Sequence, residues 1–409
     1  MTDRPKVPGF LIRLAPALLW AAGPLVMAAC SGKDGAKDGE DADTADVPAE
    51  IDGLEADIDD GADEAPACLT DFQSCGTDCL RTCDCSREKV GATLEAAPAG
   101  STVEVPAGSC TWTANLTITK GVTLAGAGTG STIIRSEHHA TNPGNTFAEG
   151  NFLVVYSPAS PEANEPFRLT GFTFDFAGNC GGIVLKNASS SSALTAVRVD
   201  HNEILNASFP EGSARAMMTG GAVYGVIDNN LFSGGAASID AYGSNEDSWD
   251  GLTFIYGSAD CMYVEDNTFH ITNTPHAGGA GGRYCARYNT YVHDNPEAGL
   301  YPWYDMHGNM GEGGNYSTMG VEIYGNLVTM VNGNGVGMFD QRGGMAVIFG
   351  NRADTAGSVS AKAREENDDA LNPTSNPQPQ HVSDSYYWNN RKGAQLVTAT
   401  EEEDCCDAI

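Results

Sequence analysis

Between Leu94 and Arg135 the chain runs as short apolar segments, TVEV, NLTI, VTL and TII, each cut off by Gly, Pro or Lys. β-Branched residues dominate these segments, each is only long enough for a strand, and the glycines leave no helical period. Farther along, a second pattern recurs. A short strand ends in Asn, and the next strand restarts two places later: VDHNEI, IDNNLF, VEDNTF, ARYNTY, IYGNLV and IFGNRA, with YWNNRK as a seventh instance. The aligned asparagines are Asn202, Asn230, Asn267, Asn289, Asn326, Asn351 and Asn390, spaced 28, 37, 22, 37, 25 and 39 residues apart. A floor near 22 with variable additions is what a coil of fixed circumference carrying loops produces.

This pattern predicts a parallel β-solenoid. Each coil holds three short strands separated by turns, and each strand pairs with its copies above and below. Asn at a sharp turn tolerates left-handed backbone angles, and its amide can bond the Asn of the next coil. Alternation within the strands puts Phe152, Val154 and Tyr156, then Phe172, Phe174 and Phe176, then Ile183 and Leu185 on the inside.

The segments AGSTVEVPAGSCTW, NLTITKGVTLAGAG and STIIR resemble the opening coils of the pectate-lyase-like superfamily of right-handed parallel β-helix proteins. The resemblance covers about residues 90 to 400. It implies an all-β fold, a single-stranded right-handed parallel β-helix. It leaves the activity open, since that superfamily holds lyases, hydrolases, epimerases and non-catalytic adhesins. The Arg-x-Pro-x-x-Arg segment of pectate lyases is missing, as is the Asn-Thr-Asp, Asp-Asp and Gly-His-Gly set of polygalacturonases, of which His307-Gly308 is only a fragment. Asp200-His201 resembles a pair found in pectate lyases, but it falls at the Asn turn, where a structural role is expected.

The N-terminus adds an address. Arg4, Lys6 and Arg13 precede an apolar run from Leu14 to Ala29, so residues 1–29 read as a signal peptide. The run ends in small residues before Cys30, which resembles a bacterial lipoprotein box. This implies a lipidated Cys30 and an exported, membrane-anchored protein at the cell surface or on the periplasmic face of the envelope. Residues 30–66 are expected to be a disordered tether: residues 31–66 carry fourteen Asp and Glu against Lys33 and Lys37 and no aromatic residue. That tether supplies over a third of the net charge of −32, so the charge is no signature of a site. The acidic balance argues against nucleic acid as a partner.

Residues 67–93, with Cys68, Cys75, Cys79, Cys83 and Cys85, are expected to form a disulfide-bonded cap, a zinc knot being the alternative. Of twelve cysteines, eleven remain after Cys30, so one is left without a partner inside the chain. Residues 94–409 are the β-helix. The ending EEEDCCDAI holds no capping helix, so the last coil is expected to continue into further sequence or to be covered by a partner. No feature sets an oligomeric state.

Candidate chemistry gathers in three late coils: YPWYDMHGN, GMFDQRGG and, before them, His276 with Arg283 and Arg287. Alternate residues share a face, and coils repeat at about 4.8 Å, so Asp305, His307, Asp340 and Arg342 are expected to form one column. Arg283 and Glu322 are placed at its edge, and Trp303 and Tyr304, with Tyr301, are placed to stack on sugar rings. In β-elimination on an acidic polysaccharide, His307 or Arg342 would be the base, while Asp305 and Asp340 would orient it or hold calcium. In hydrolysis the two aspartates would act as acid and base. A non-catalytic surface protein binding glycan or a partner, or ion pairs that only close turns, complete the alternatives.

Overall fold

The computed structural model describes residues 71–401 except 144, 146–147, 209–214, 245–247, 249–253, 272–274, 294–301, 309–315, 332 and 365–381. Cys30, the signal peptide, the tether, Cys68 and Tyr301 lie outside the described residues. The described residues form three sheets of 12, 11 and 10 strands that the chain visits in rotation. One coil runs Arg283–Arg287 in the first sheet, Thr290–His293 in the second and Tyr304–Met306 in the third; the next runs Gly320–Tyr324, Leu327–Met330 and Val336–Gln341. Neighbouring coils pair parallel and in register. Val199, Ile227, Val264, Ala286, Ile323 and Ile348 form one inward column of the first sheet, and each is at most 1% exposed. Parallel strands buried along one face and stacked through a shared interior make a parallel β-helix. Among the described residues, antiparallel pairing is confined to the hairpin Phe72–Gly76 with Cys79–Thr82 and to the short pair at residues 391–392 and 395–396.

The asparagines form the expected ladder. Asn202 donates its backbone N–H to Asn230 Oδ1 at 3.0 Å and its Nδ2 to the same oxygen at 3.1 Å. The same pair of bonds links Asn230 to Asn267, Asn267 to Asn289, Asn289 to Asn326, Asn326 to Asn351 and Asn351 to Asn390. All seven are at most 3% exposed. One detail differs from expectation: the left-handed residue is the one before each Asn. His201, Asn229, Asp266, Tyr288, Gly325, Gly350 and Asn389 take φ between 53° and 69°, which turns the chain and leaves the Asn side chain pointing along the stack.

The N-terminal end is closed by a helix, α1, Arg87–Ala96, which runs three residues into the β-helix expected from residue 94. Ser86 caps it by accepting from Lys89 N–H, and Val90, Thr93 and Leu94 are its buried residues. Lys120 Nζ donates to the carbonyls of Glu95 and Ala97 at 2.9 and 2.6 Å, satisfying groups at the helix end. Disulfides, not zinc, hold this cap. Cys75 pairs with Cys79, and Cys85 pairs with Cys110 of the first coil. Among the described residues Cys180 is the free thiol, buried beside Ser136 Oγ at 3.3 Å.

The interior is apolar at the start and increasingly polar and aromatic later. Phe232, Phe269 and Tyr291 stack at 4.6 and 4.8 Å. His276 is 1% exposed, donates to or accepts from Tyr291 Oη at 2.7 Å and lies parallel to the Tyr304 ring at 5.4 Å. Burial pushes its pKa down from 6.5 to about 3. The unfolded chain therefore takes up a proton that the fold refuses: stability is full above pH 6.5 and falls as the pH drops towards 3. At about 1.4 kcal/mol per unit this one group is expected to remove on the order of 5 kcal/mol across that whole range. His276→Phe should flatten that part of the acid profile. Urea midpoints at pH 7 and pH 4 check it; equal pH sensitivity in the two proteins would contradict the assignment.

Candidate functional site

The third sheet carries a column on its outer face whose character changes along the stack. In register it reads Val155, Val184, Met218, Asp240, Ala277, Asp305, Asp340 and Lys362. The first three are apolar and, with Phe152, form a buried cluster outside the main core. Phe152 thus faces outward, not inward as alternation suggested, while Val154, Tyr156, Phe172, Phe174, Phe176, Ile183 and Leu185 do line the interior. From Asp240 onward every member but Ala277 is charged.

Two residues along each strand a parallel column holds Tyr242 and Gly279, which pair in register, followed by His307, Arg342 and Arg364. A Cβ on Gly279 would lie 3.1 Å from the Tyr242 ring and 3.6 Å from His307 Cβ, so the glycine is the gap between them. The sequence shows the rule plainly: Asp240-x-Tyr242, Asp305-x-His307, Asp340-x-Arg342 and Lys362-x-Arg364.

Asp305, His307, Asp340 and Arg342 come together as expected. Arg342 Nη2 donates to Asp305 Oδ1 at 2.5 Å and also to His307 Nδ1. His307 Nε2 lies 3.3 Å from Asp305 Oδ2. An arginine only donates, so Nδ1 is the acceptor and the imidazole proton sits on Nε2, facing Asp305. Burial lowers the His307 pKa to about 4; Asp305 opposes this, while the charges of Arg342 and Arg215 reinforce it. His307 is neutral at pH 7. Asp340 accepts both Nε and Nη2 of Arg364, at 3.0 and 2.8 Å. Two coils before Asp305, Arg215 pairs with Asp240, whose pKa burial pushes up. Burial also raises that of Tyr242, which bonds the same arginine. Asp240, Tyr242, Lys362 and Arg364 escaped the sequence reading, although the repeated two-residue spacing was their signal; Arg215 lies outside that spacing.

The face thus sets four cationic groups against three carboxylates, on a chain of net charge −32. The side chains of Asp305 and His307 are each 20% exposed and Arg342 11%, so the cluster is neither sealed nor free in solvent.

Other expected members lie elsewhere. Tyr304 is 0% and Trp303 2% exposed; Tyr304 stacks on His276 and Trp303 meets Tyr291 edge-on at 5.2 Å. Both are core residues, with no ring face open to a sugar. Glu322 lies on the first sheet and accepts the Gly257 N–H. Arg283 also lies on the first sheet, 6% exposed, with its guanidinium 5.7 Å from the Tyr224 ring centroid. Asp200 accepts Arg168 Nε and Nη2 at 2.7 and 2.5 Å and His201 Nδ1 at 2.8 Å, an ion pair between coils as expected for a structural role. Asp305 and Asp340 are register neighbours, yet each is held by its own guanidinium. That donor set does not fit calcium, which takes six to eight oxygens. Among the described residues no three-ligand group includes either of them.

No family model matches the sequence, and no curated protein matches it. Solved structures of similar fold include ORF18 of Geobacillus virus E2, at 12% identity and TM-score 0.39, covering 77% of this chain and 58% of that one. This chain therefore spans little more than half of the viral protein. A pectin methylesterase in complex with a hexasaccharide is 9% identical at TM-score 0.34, over 77% of this chain and 87% of its own. The A-module of an Azotobacter vinelandii mannuronan C-5 epimerase is 14% identical at TM-score 0.31, over 78% and 91%. The three parallel sheets carry the conclusion by themselves: the chain is a parallel β-helix protein.

Proposed function

We propose that the outer face of the third sheet, from Asp240 to Arg364, is a site for an acidic polysaccharide and that the chemistry is β-elimination. One observation carries the reading: a neutral histidine held between a carboxylate and a guanidinium, on a face where cations outnumber carboxylates on an acidic chain. A uronate carboxylate entering here competes with His307 Nδ1 for Arg342. The guanidinium fork matches a carboxylate better than a single ring nitrogen. Its transfer frees the Nδ1 lone pair, and the new negative charge raises the basicity of the ring. His307 then takes the proton alpha to the carboxylate. The electrons of that C–H bond form the carbon–carbon double bond, and the glycosidic C–O bond breaks with its electrons leaving on oxygen. Arg342 stabilises the charge that builds on the carboxylate. Tyr242, kept protonated, stands across Gly279 as a donor for the leaving oxygen.

A second reading, glycan binding without chemistry, is favoured by the pairing of every aspartate of the face to an arginine. Incubating the protein with a panel of uronate-containing polysaccharides separates the readings. The expected result is growing ultraviolet absorbance from an unsaturated uronate end. New reducing ends without that absorbance would assign hydrolysis. Retention on the polysaccharide with neither signal would assign binding alone.

A further inference from the structure

Arg283 is the anomaly of the molecule outside the third sheet. It is 6% exposed, and its Nη2 is buried with no hydrogen-bond partner. Among the described residues its guanidinium makes no hydrogen bond and no ion pair; its one polar contact is with the face of Tyr224, itself 8% exposed. An arginine cannot shed its proton to escape this burial, and a ring face does not replace the acceptors its five N–H donors need. Its neighbour Glu322 is occupied by the Gly257 N–H.

The surroundings are built. Residues 254–261 strap across the outside of the first sheet. Phe254 fills the position above Gly320, the register partner of Arg283; a Cβ there would come within 2.3 Å of its ring. Cys261 is bonded to Cys285, two residues beyond Arg283. Tyr256 Oη donates to Asp384 O and Tyr263 Oη to Ser258 O, each at 2.7 Å. A strap pinned at this many points covers the first sheet beside the guanidinium, whose one recorded ring neighbour is Tyr224. A stacked, partly desolvated arginine with unused donors is how proteins prepare to receive an oxyanion.

We propose that Arg283 is the anchor of a second ligand site, on the first sheet under the 254–261 strap, that takes a carboxylate or sulfate group. It is separate from the Asp305–Arg342 cluster and does not depend on β-elimination there. The two sources of such a group are a free anion and an acidic sugar.

The test uses the whole chain at constant ionic strength. Sodium sulfate, sodium acetate and a uronate oligosaccharide are each exchanged against chloride while the thermal midpoint is followed. The parent protein is expected to gain stability saturably with at least one of them, and Arg283→Met to lose that gain, with affinity weaker by about tenfold or more. Without added anion, Arg283→Met should be at least as stable as the parent, because it removes an unpaired buried charge. Arg283→Lys, which keeps the charge and loses the fork, should bind between the two. It also serves if the Met variant fails to fold. A response to sulfate or acetate alone assigns a free anion; a response to the oligosaccharide at far lower concentration assigns an acidic sugar. A flat response of the parent to all three, or an equal response in Arg283→Met or Arg283→Lys and parent, overturns the proposal.

Discussion

Asn267→Ala is expected to cost about 3–5 kcal/mol of stability, far more than a typical surface substitution. Asn267 is 1% exposed and sits mid-ladder. Its Oδ1 accepts the backbone N–H and the Nδ2 of Asn230, at 2.9 and 3.1 Å. Its Nδ2 donates to Ile227 O, Glu265 O and Asn289 Oδ1, at 2.8, 3.0 and 3.1 Å. Alanine leaves the Asn230 N–H and a strand carbonyl buried without partners, in a turn too tight to admit replacements. Asn267→Asp keeps an acceptor but loses the donors and buries a charge, so it should be no milder at neutral pH. Asn390→Ala should cost less, because Asn390 accepts from Asn351 and donates to Ile348 O but, among the described residues, has no further rung above it. Denaturant midpoints of the three variants give the order. A loss below about 1 kcal/mol for Asn267→Ala would mean that the stacked strands hold the turn without the amide.

The ladder was legible because it is a local rule repeated with the chain: one residue type, one turn, one coil apart. The pairing of Asp305 with Asp340 was legible for the same reason, since alternation and stacking are both periodic. What failed was where periodicity meets a corner. Trp303 has the parity of Asp305 yet is buried, because it stands where the chain enters the third sheet, beside the bridge from Pro302 to Gly337. Tyr304 lies opposite Asp305 by the very alternation that grouped Asp305 with His307. Arg283 follows Gly279 by four residues, but Ala280 and Gly281 turn there with φ of 53° and 80° and carry the chain onto another sheet. Sequence distance says nothing about which side of a three-sided coil a residue faces. Asp240 and Tyr242 were hidden for a different reason: their strand IDAY looks like an ordinary core strand until its register with Asp305 is known, and Arg215 stands just before the strand Met217–Gly220, outside any alternation.

Arg342→Met distinguishes a working face from a decorative one. The first sheet supplies the comparison, because Arg168 holds Asp200 through the same two-bond fork between coils that Arg364 makes to Asp340. If all these pairs only close the coil surface, Arg342→Met and Arg168→Met should both lower stability modestly and leave any depolymerising activity intact. If the third sheet is the site, they part. Arg342→Met removes the group that meets the substrate carboxylate and is expected to cost about 10²–10³-fold in turnover; Arg168→Met should cost nothing. The substitution also withdraws a positive charge that holds His307 down, while Asp305 remains to stabilise the imidazolium. The His307 pKa should therefore rise from about 4, which NMR titration of the ring reads directly, with His307→Ala identifying the signal. That shift has a stability consequence of definite sign: with the folded pKa closer to its ordinary 6.5, Arg342→Met should lose less stability on acidification between pH 6.5 and 4 than the parent does. Unchanged turnover in Arg342→Met, with His307 shifted as expected, would confirm the electrostatics of the cluster and remove the catalytic reading, leaving an ion-paired surface that binds.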